Sequence, residues 1–305
     1  MIQQLEKLDL ERDNLKRRIQ EARPKSKRTI LFLGAGLSSS SAINYLLSHA
    51  KEGQWTLRVG DSSLETARSK VEHSDRGEAF QFDAENASQI TDEVRKADIV
   101  VSLLPMKLHP KIARECVAQK KHMVTASYVS DEMKALHSEA VSKGLILMNE
   151  VGLDPGIDHM ASMRTIDHLR REHGELRGFE SFTGGLVAPE SDDNPWHYKF
   201  TWNPRNVVLA AQGGVKFLQM GRFKYIPYHN VFRRYETLEV PGWGSFEGYA
   251  NRDSLKYRES YNLESCPTMF RGTLRRPGFC NAWNILVNMG LTDDSYVMED
   301  SKHMT

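Results

Sequence analysis

The sequence predicts an α/β protein whose first half is a Rossmann-type, doubly wound parallel sheet. Two observations carry this. From Arg28 to Glu150, short apolar runs alternate with amphipathic stretches of helical period, as strands do when crossover helices cover both faces of a sheet. The first run ends in a glycine turn that opens straight into a helical segment, the place where dinucleotide folds seat a pyrophosphate. Right-handed crossovers make the doubly wound order the natural topology. The 305 residues allow about two domains of ~150 residues. We expect a leader over residues 1–27, a dinucleotide-binding domain over 28–153 and a substrate-binding domain over 154–305.

In the leader, Leu5, Leu8, Leu15 and Ile19 share a helical face that Arg12 interrupts, and Pro24 ends the pattern. The segment lacks the apolar core of a secretory signal and is too acidic for a transit peptide. A solvated helix explains so short a stripe more simply than a docking helix. ILFL (30–33) reads as the first strand and 40–49 as its helix. TLRVG (56–60) and a helix over 63–70 follow, then AFQFDA (79–84) and a helix through Val94. The strongest strand is the run over 98–105. Helix 110–119, HMVTAS (122–127), helix 132–143 and LILMNE (145–150) complete the alternation.

The glycine turn is Gly34-Ala35-Gly36-Leu37-Ser38-Ser39. Gly34 permits the tight turn and Gly36 lets backbone approach a diphosphate, while Ser39 replaces the third glycine of the full fingerprint. Asp61, at the end of the second strand, suits a ribose 2′-hydroxyl and repels a 2′-phosphate. Ser62 follows where an arginine would favour NADP, so the residues point to NAD. A turn or capping role for Asp61 competes with that reading. Arg58 lies too early in its strand to reach a 2′-phosphate.

Ligands of open α/β sheets lie outside the carboxyl ends of the strands. There the chain places Leu103-Leu104-Pro105 with Lys107 and His109, then Ser127-Tyr128, then Asn149 through His159. Asp154, held between Leu153 and the Pro155-Gly156 pair, stands just before a helix beginning near Ile157. Its carboxylate can accept from a substrate ammonium group or orient a nicotinamide. Asp158 and His159 lack partners at metal-ligand spacing, and Asp158 is better explained by the helix dipole. Tyr128, Asp154 and His109 are the acid–base candidates.

Composition narrows the function classes. Lys+Arg number 41 against 40 Asp+Glu, a balance that argues against nucleic acid as the main partner. No run of ~18 apolar residues predicts a membrane span. Three widely spaced cysteines give no disulfide framework or metal knuckle, and a reducing, cytoplasmic setting fits them. Beyond His173 the chain turns loop-rich, with strand-like FKYIPY (223–228), YETLEV (235–240) and FEGYA (246–250), and a helix around 281–289. Arg252, Arg275 and Arg276 stand beside turns; a surface salt bridge is the usual role of any one of them, but several guanidinium forks in tight turns suit the carboxylates of an amino acid or dicarboxylate.

Five stretches, MNEVGLDPGIDHM, TASYVSDEM, GGLVAPESDDNPWHYKFTW, GYANRDSLKY and FRGTLRRPGF, together resemble saccharopine dehydrogenase of the glutamate-forming type, or saccharopine reductase. The resemblance runs from Thr29 to Ser295. It implies a second, α+β substrate domain with a mixed sheet, a homodimer, and an NAD(P)-dependent oxidoreductase of lysine metabolism acting on a CH–NH bond. Saccharopine would be oxidised reversibly to glutamate and 2-aminoadipate 6-semialdehyde: hydride leaves the carbon bearing the secondary amine, and water hydrolyses the imine.

Cofactor contacts of the family fall on Gly36, Leu37, Ser38 and Ser39, on Asp61 and Ser62, on Asp83 and Ala84, and on Leu104. Ala126, Ser127, Leu153, Asp154 and Pro155 complete them. Substrate contacts fall on Ser127, Tyr128, Asp154, Arg252 and the Thr273-Leu274-Arg275 turn. In that reading Arg252 and Arg275 clamp carboxylates, and Asp154 and Tyr128 form the catalytic pair around the amine, with no metal. Fungal members carry arginine where Ser62 stands, which adds to the preference for NAD, with NADP the other choice. Relatives also run on past Thr305. A missing return segment would expose apolar sheet at about 25 cal/mol per Å², so reduced stability, dependence on a partner or inactivity is expected. Two alternatives stay open: an imine reductase such as carboxynorspermidine synthase, and a non-catalytic dinucleotide-binding subunit.

Overall fold

In the computed structural model, residues 27–297 and 299–303 are described. The expected leader helix lies outside them, Lys27 excepted. The chain forms two compact units. The first comprises the described residues up to Ala35, with Ser39–Val124 and Ala135–Leu147. The second comprises Gly36–Ser38, Thr125–Lys134 and the described residues from Met148 on.

The sheet of the first unit has six strands in the order β3-β2-β1-β4-β5-β6. They are β1 (Arg28–Leu33), β2 (Trp55–Asp61), β3 (Gly77–Gln81), β4 (Ile99–Ser102), β5 (His122–Thr125) and β6 (Leu147–Met148). β1 runs parallel to β2 and β4, and β2 runs parallel to β3. The strand order therefore reverses at β1, the switch point where this class of sheet binds ligands. Ile30–Leu33 are all buried, as a strand covered on both faces requires. Phe32, Leu57 and Val59 pack with Ile43 and with Ala67 and Val71 of the following helices.

Helix starts in this unit follow the local chemistry. Ser63 caps helix Leu64–Val71 by accepting from the Thr66 N–H, and Asn86 caps helix Ala87–Lys96 by accepting from the Gln89 N–H. Two expectations need correction. The helix expected over 132–143 is two short ones, Asp131–Ala135 and His137–Ser142, broken at Leu136. The strand expected over 145–150 keeps only Leu147–Met148, because Glu150 turns to φ 58° and donates its N–H to the Ser127 carbonyl.

The second unit contains the mixed sheet, in the order β10-β11-β12-β8-β9 with β7 added against β12. Its strands are β7 (Phe179–Thr183), β8 (Val215–Gln219), β9 (Arg222–Ile226), β10 (Tyr235–Val240), β11 (Gly244–Ala250) and β12 (Met269–Arg275). β7 is parallel to β12, and the other pairs are antiparallel. The expected Thr273–Arg275 turn is therefore strand. Its residues alternate, with Met269 and Arg271 buried on one face and Phe270 half-buried on the other. Two helices frame the unit, Ile157–Arg171 and Phe279–Asn288.

The second of these helices starts on a carboxylate from β11. Glu247 accepts the Gly278 and Cys280 N–H groups at 2.7 Å each, satisfying donors that a helix start leaves open. All three cysteines, Cys116, Cys266 and Cys280, are free thiols in buried positions. No helix among the described residues is long and apolar enough to cross a membrane.

Candidate functional site

The glycine turn leaves β1 with Gly34 at φ 96°, where a Cβ would stand 2.8 Å from the Leu103 carbonyl oxygen. Only glycine fits so close to the end of β4. At Gly36 a Cβ would meet nothing within 4 Å, so the space beside its Cα is open. Leu37 and Ser38 are exposed, and Ser39 is buried ahead of helix Ser40–Ser48. An accessible turn leading into a helix N-terminus fits a dinucleotide phosphate.

Asp61 braces this turn from β2. Its Oδ2 accepts the Ala35 N–H at 2.7 Å, and its Oδ1 accepts the Ser63 N–H at 2.9 Å. The ribose-reading role expected of Asp61 keeps only the lone pairs those bonds leave. Ser62 is exposed beside it. Arg58 is held elsewhere, by Glu78 and by Glu93 at 2.7 Å. After β3, Asp83 accepts the Glu85 N–H at 2.8 Å and the Ala84 carbonyl accepts from Lys111. Leu104 is half-buried beyond β4. His109 is not a rim residue. It is 2% exposed, lies 3.0 Å from the Ser102 hydroxyl, and burial lowers its pKa to about 4. That is a neutral core histidine.

In the second unit the sequence-predicted residues converge on Asp154. The Asp154–Pro155 peptide is cis, Leu153 is exposed and Pro155 is buried. Tyr128 donates its hydroxyl to Asp154 Oδ1 at 2.8 Å, and Thr183 of β7 donates to Oδ2. The Arg252 guanidinium lies over the Tyr128 ring, 5.2 Å from its centre. Ala126 and Ser127 lead into Tyr128, with the Ser127 carbonyl taken by the Glu150 N–H. Thr273 sits opposite Thr183 in the β7–β12 register.

Arg275 is placed apart from this cluster. It is buried against the rings of Tyr198 and Phe279 and donates to the Leu274 carbonyl at 3.0 Å.

The residue that sequence reasoning passed over is Arg271. Its Nη2 lies 2.8 Å from Asp154 and 2.6 Å from Asp158. The Tyr257 ring lies 4.5 Å from the guanidinium carbon. Asp158 thus joins an ion pair in addition to accepting the Gly156 N–H at the start of its helix. His159 meets the Tyr261 hydroxyl, and its Nε2 stands 2.9 Å from a Glu150 carboxylate oxygen. A period-two reading of β12, with Arg271, Thr273 and Arg275 on one face, is the signal that could have found Arg271.

Electrostatics follows from this packing. Burial alone would raise the Asp154 carboxyl. The Thr183 hydrogen bond, the Arg271 charge and the Tyr128 hydroxyl outweigh it and hold the group below the usual carboxylate range. Burial and the Asp154 charge push Tyr128 the other way, so its hydroxyl keeps its proton. The arrangement presents an ionised carboxylate with a neutral phenol beside it, a surface that binds a cationic or hydrogen-bonding nitrogen.

Fold and turn define a Rossmann-type dinucleotide-fold protein carrying a second, mixed-sheet unit. Residues 30–148 match the family model of the saccharopine dehydrogenase NADP binding domain, and residues 152–303 match that of the saccharopine dehydrogenase C-terminal domain. The chain belongs to the saccharopine dehydrogenase family. Over 268 residues it is 34% identical to saccharopine dehydrogenase (NADP(+), L-glutamate-forming) of Saccharomyces cerevisiae, covering 88% of this chain and 59% of that one. It is 36% identical over 301 residues to alpha-aminoadipic semialdehyde synthase of Arabidopsis thaliana, covering 92% of this chain and 28% of that one. The solved apo saccharopine dehydrogenase (L-Glu forming) of Saccharomyces cerevisiae matches with a TM-score of 0.78 at 33% identity, over 88% of this chain and 59% of that one. The chain thus spans 59% of the yeast enzyme and 28% of the plant protein, less than two thirds of either.

Proposed function

We propose that this chain carries out the NADP-dependent, reversible oxidation of saccharopine to glutamate and 2-aminoadipate 6-semialdehyde. The observation that carries the proposal is the Asp154 carboxylate, ionised, partly open, and bonded by the Tyr128 hydroxyl, over whose ring the Arg252 guanidinium lies. A secondary amine between two carboxylate-bearing arms matches that set: Asp154 and Tyr128 take the nitrogen, and Arg252 takes a carboxylate. Arg275, buried against the Tyr198 and Phe279 rings away from this cluster, is left out of the carboxylate assignment. A bound nicotinamide dinucleotide supplies the acceptor for the hydride that leaves the carbon next to nitrogen. The chain contributes orientation and charge placement at that nitrogen. Water then hydrolyses the substrate imine.

The cofactor choice moves from NAD toward NADP. The matched domain model and the fungal relatives carry NADP in their names. The Asp61 carboxylate that argued for NAD is turned onto the Ala35 and Ser63 N–H groups. Gly34, Gly36, Ser38 and Ser62 are the residues we assign to the nucleotide. A homodimer belongs to the same proposal, read by sedimentation velocity. The comparisons favour neither the polyamine-imine nor the non-catalytic alternative.

Absorbance at 340 nm with saccharopine and each nucleotide tests the reading. Saccharopine-dependent reduction, faster with NADP, is expected. No reduction of either nucleotide, together with no calorimetric binding of saccharopine, would overturn it.

A further inference from the structure

Arg271 is held from sides that solvent does not reach. Its side chain is 4% exposed and that of Asp158 only 1%, whereas that of Asp154 is 18%. Asp158 is a closed anchor, because its Oδ1 holds the Gly156 N–H at 2.7 Å and its Oδ2 holds Arg271. The Tyr257 ring supports the guanidinium from beneath. Two carboxylates share one guanidinium, so a negative charge is left over, and only Asp154 offers it outward.

We propose that Arg271 is a positioning residue: anchored on Asp158 and Tyr257, it fixes the Asp154 carboxylate toward the substrate amine, so that Asp154 works as a standing anion and not as a proton carrier. This rests on the reading of Asp154 as the amine site. Groups facing Asp154 come from four directions. They are Tyr128 after β5, Thr183 on β7, Arg271 on β12, and Asp158 at the helix start. Arg252 lies over Tyr128, and Tyr257 beneath Arg271, with Glu150 and His159 paired behind. Among the described residues Arg271 is the cation paired with Asp154, and a guanidinium does not titrate in the working range. A general base needs a pKa near the operating pH, and the pair with Arg271 works against that.

The test reads Asp154 directly. Carboxyl carbons of 13C-labelled aspartate are titrated by NMR without substrate, Asp154 being assigned through Asp154→Asn. Arg271→Gln should raise the Asp154 midpoint by about 1 to 3 pH units. Arg271→Gln together with Asp158→Asn removes both buried charges and keeps the local charge balanced if the single variant fails to fold; it should raise the midpoint by less, because loss of the Asp158 anion offsets part of the loss of the guanidinium. Arg271→Lys keeps the charge without the fork. It should keep the midpoint low, raise the KM for saccharopine about tenfold and leave kcat nearly unchanged. An Asp154 midpoint unmoved in the Gln variants would overturn the assignment. A wild-type chain that does not turn over saccharopine would sink the proposed activity, while the carboxyl titration would still decide the role of Arg271.

Discussion

The Tyr128 hydroxyl donates to Asp154 Oδ1 across 2.8 Å, joining a segment that leaves β5 to the turn that starts helix Ile157–Arg171. A neutral donor on a carboxylate favours its ionised form and fixes its direction toward a partner cation. A hydrogen bond to a charged group is worth about 1.5–3 kcal/mol. Tyr128→Phe should therefore lower kcat/KM for saccharopine by about tenfold or more, and lower the melting temperature as well, since the bond is already made in the unliganded chain. Equal kcat/KM in the two proteins would remove Tyr128 from the site.

Stability should depend on pH through His109. Burial lowers its folded pKa to about 4, against about 6.5 in an unfolded chain. Below pH 6.5 the unfolded chain gains a proton that the folded one refuses, so stability falls with pH until about 4. The linkage is worth about 3 kcal/mol in total. Asp154 and Glu150 add a second loss at lower pH. Burial works against their charges, but hydrogen bonds and nearby cations keep both folded carboxyls below the usual range. Chemical denaturation between pH 4 and 7 should show the first slope. His109→Gln should flatten it.

Two glycines of one turn should separate stability from binding. Gly34→Ala puts a Cβ 2.8 Å from the Leu103 carbonyl at a left-handed φ, and should cost about 1–3 kcal/mol of stability. Gly36→Ala meets nothing within 4 Å, and should fold normally while binding NADP several-fold more weakly. Calorimetric titration with NADP beside thermal melts distinguishes them. Full NADP affinity in Gly36→Ala would place the phosphates elsewhere.

Cofactor preference should respond to position 62 and not to position 58. Arg58 is locked between Glu78 and Glu93 with the Phe80 ring 5.0 Å away. Arg58→Met should lower stability and leave the ratio of kcat/KM values for NADP and NAD where it was. Ser62→Arg adds a guanidinium to an exposed position after β2, and should raise that ratio about tenfold. A ratio that follows Arg58 would mean that its ion pairs open for a 2′-phosphate.

Sequence reading succeeded where a local rule governs a segment. β1 is an unbroken apolar run, the glycine turn follows it, helix Ile157–Arg171 starts at the expected residue, and β10 matches its expected span. β12 was hidden because two of its inward residues are Arg271 and Arg275, which read as turn or surface. Arg271 is buried only because Asp154 and Asp158 meet it, and Asp154 lies 117 residues away. No window along the chain contains both ends of that pair. The 145–150 strand was overcalled for the opposite reason. Its apolar residues suit a strand, but Glu150 turns out of the ladder onto Ser127. Asp154, Tyr128 and Arg252 were legible as chemistry, whereas the guanidinium that orders them was not.

The buried placement of Cys116, Cys266 and Cys280 has a practical use. A maleimide or iodoacetamide needs an accessible thiolate, and the native fold offers it none of the three. A fluorophore or spin label can therefore be attached at one introduced surface cysteine with the natural ones left in place. Unexpected labelling of the wild-type protein would report local opening.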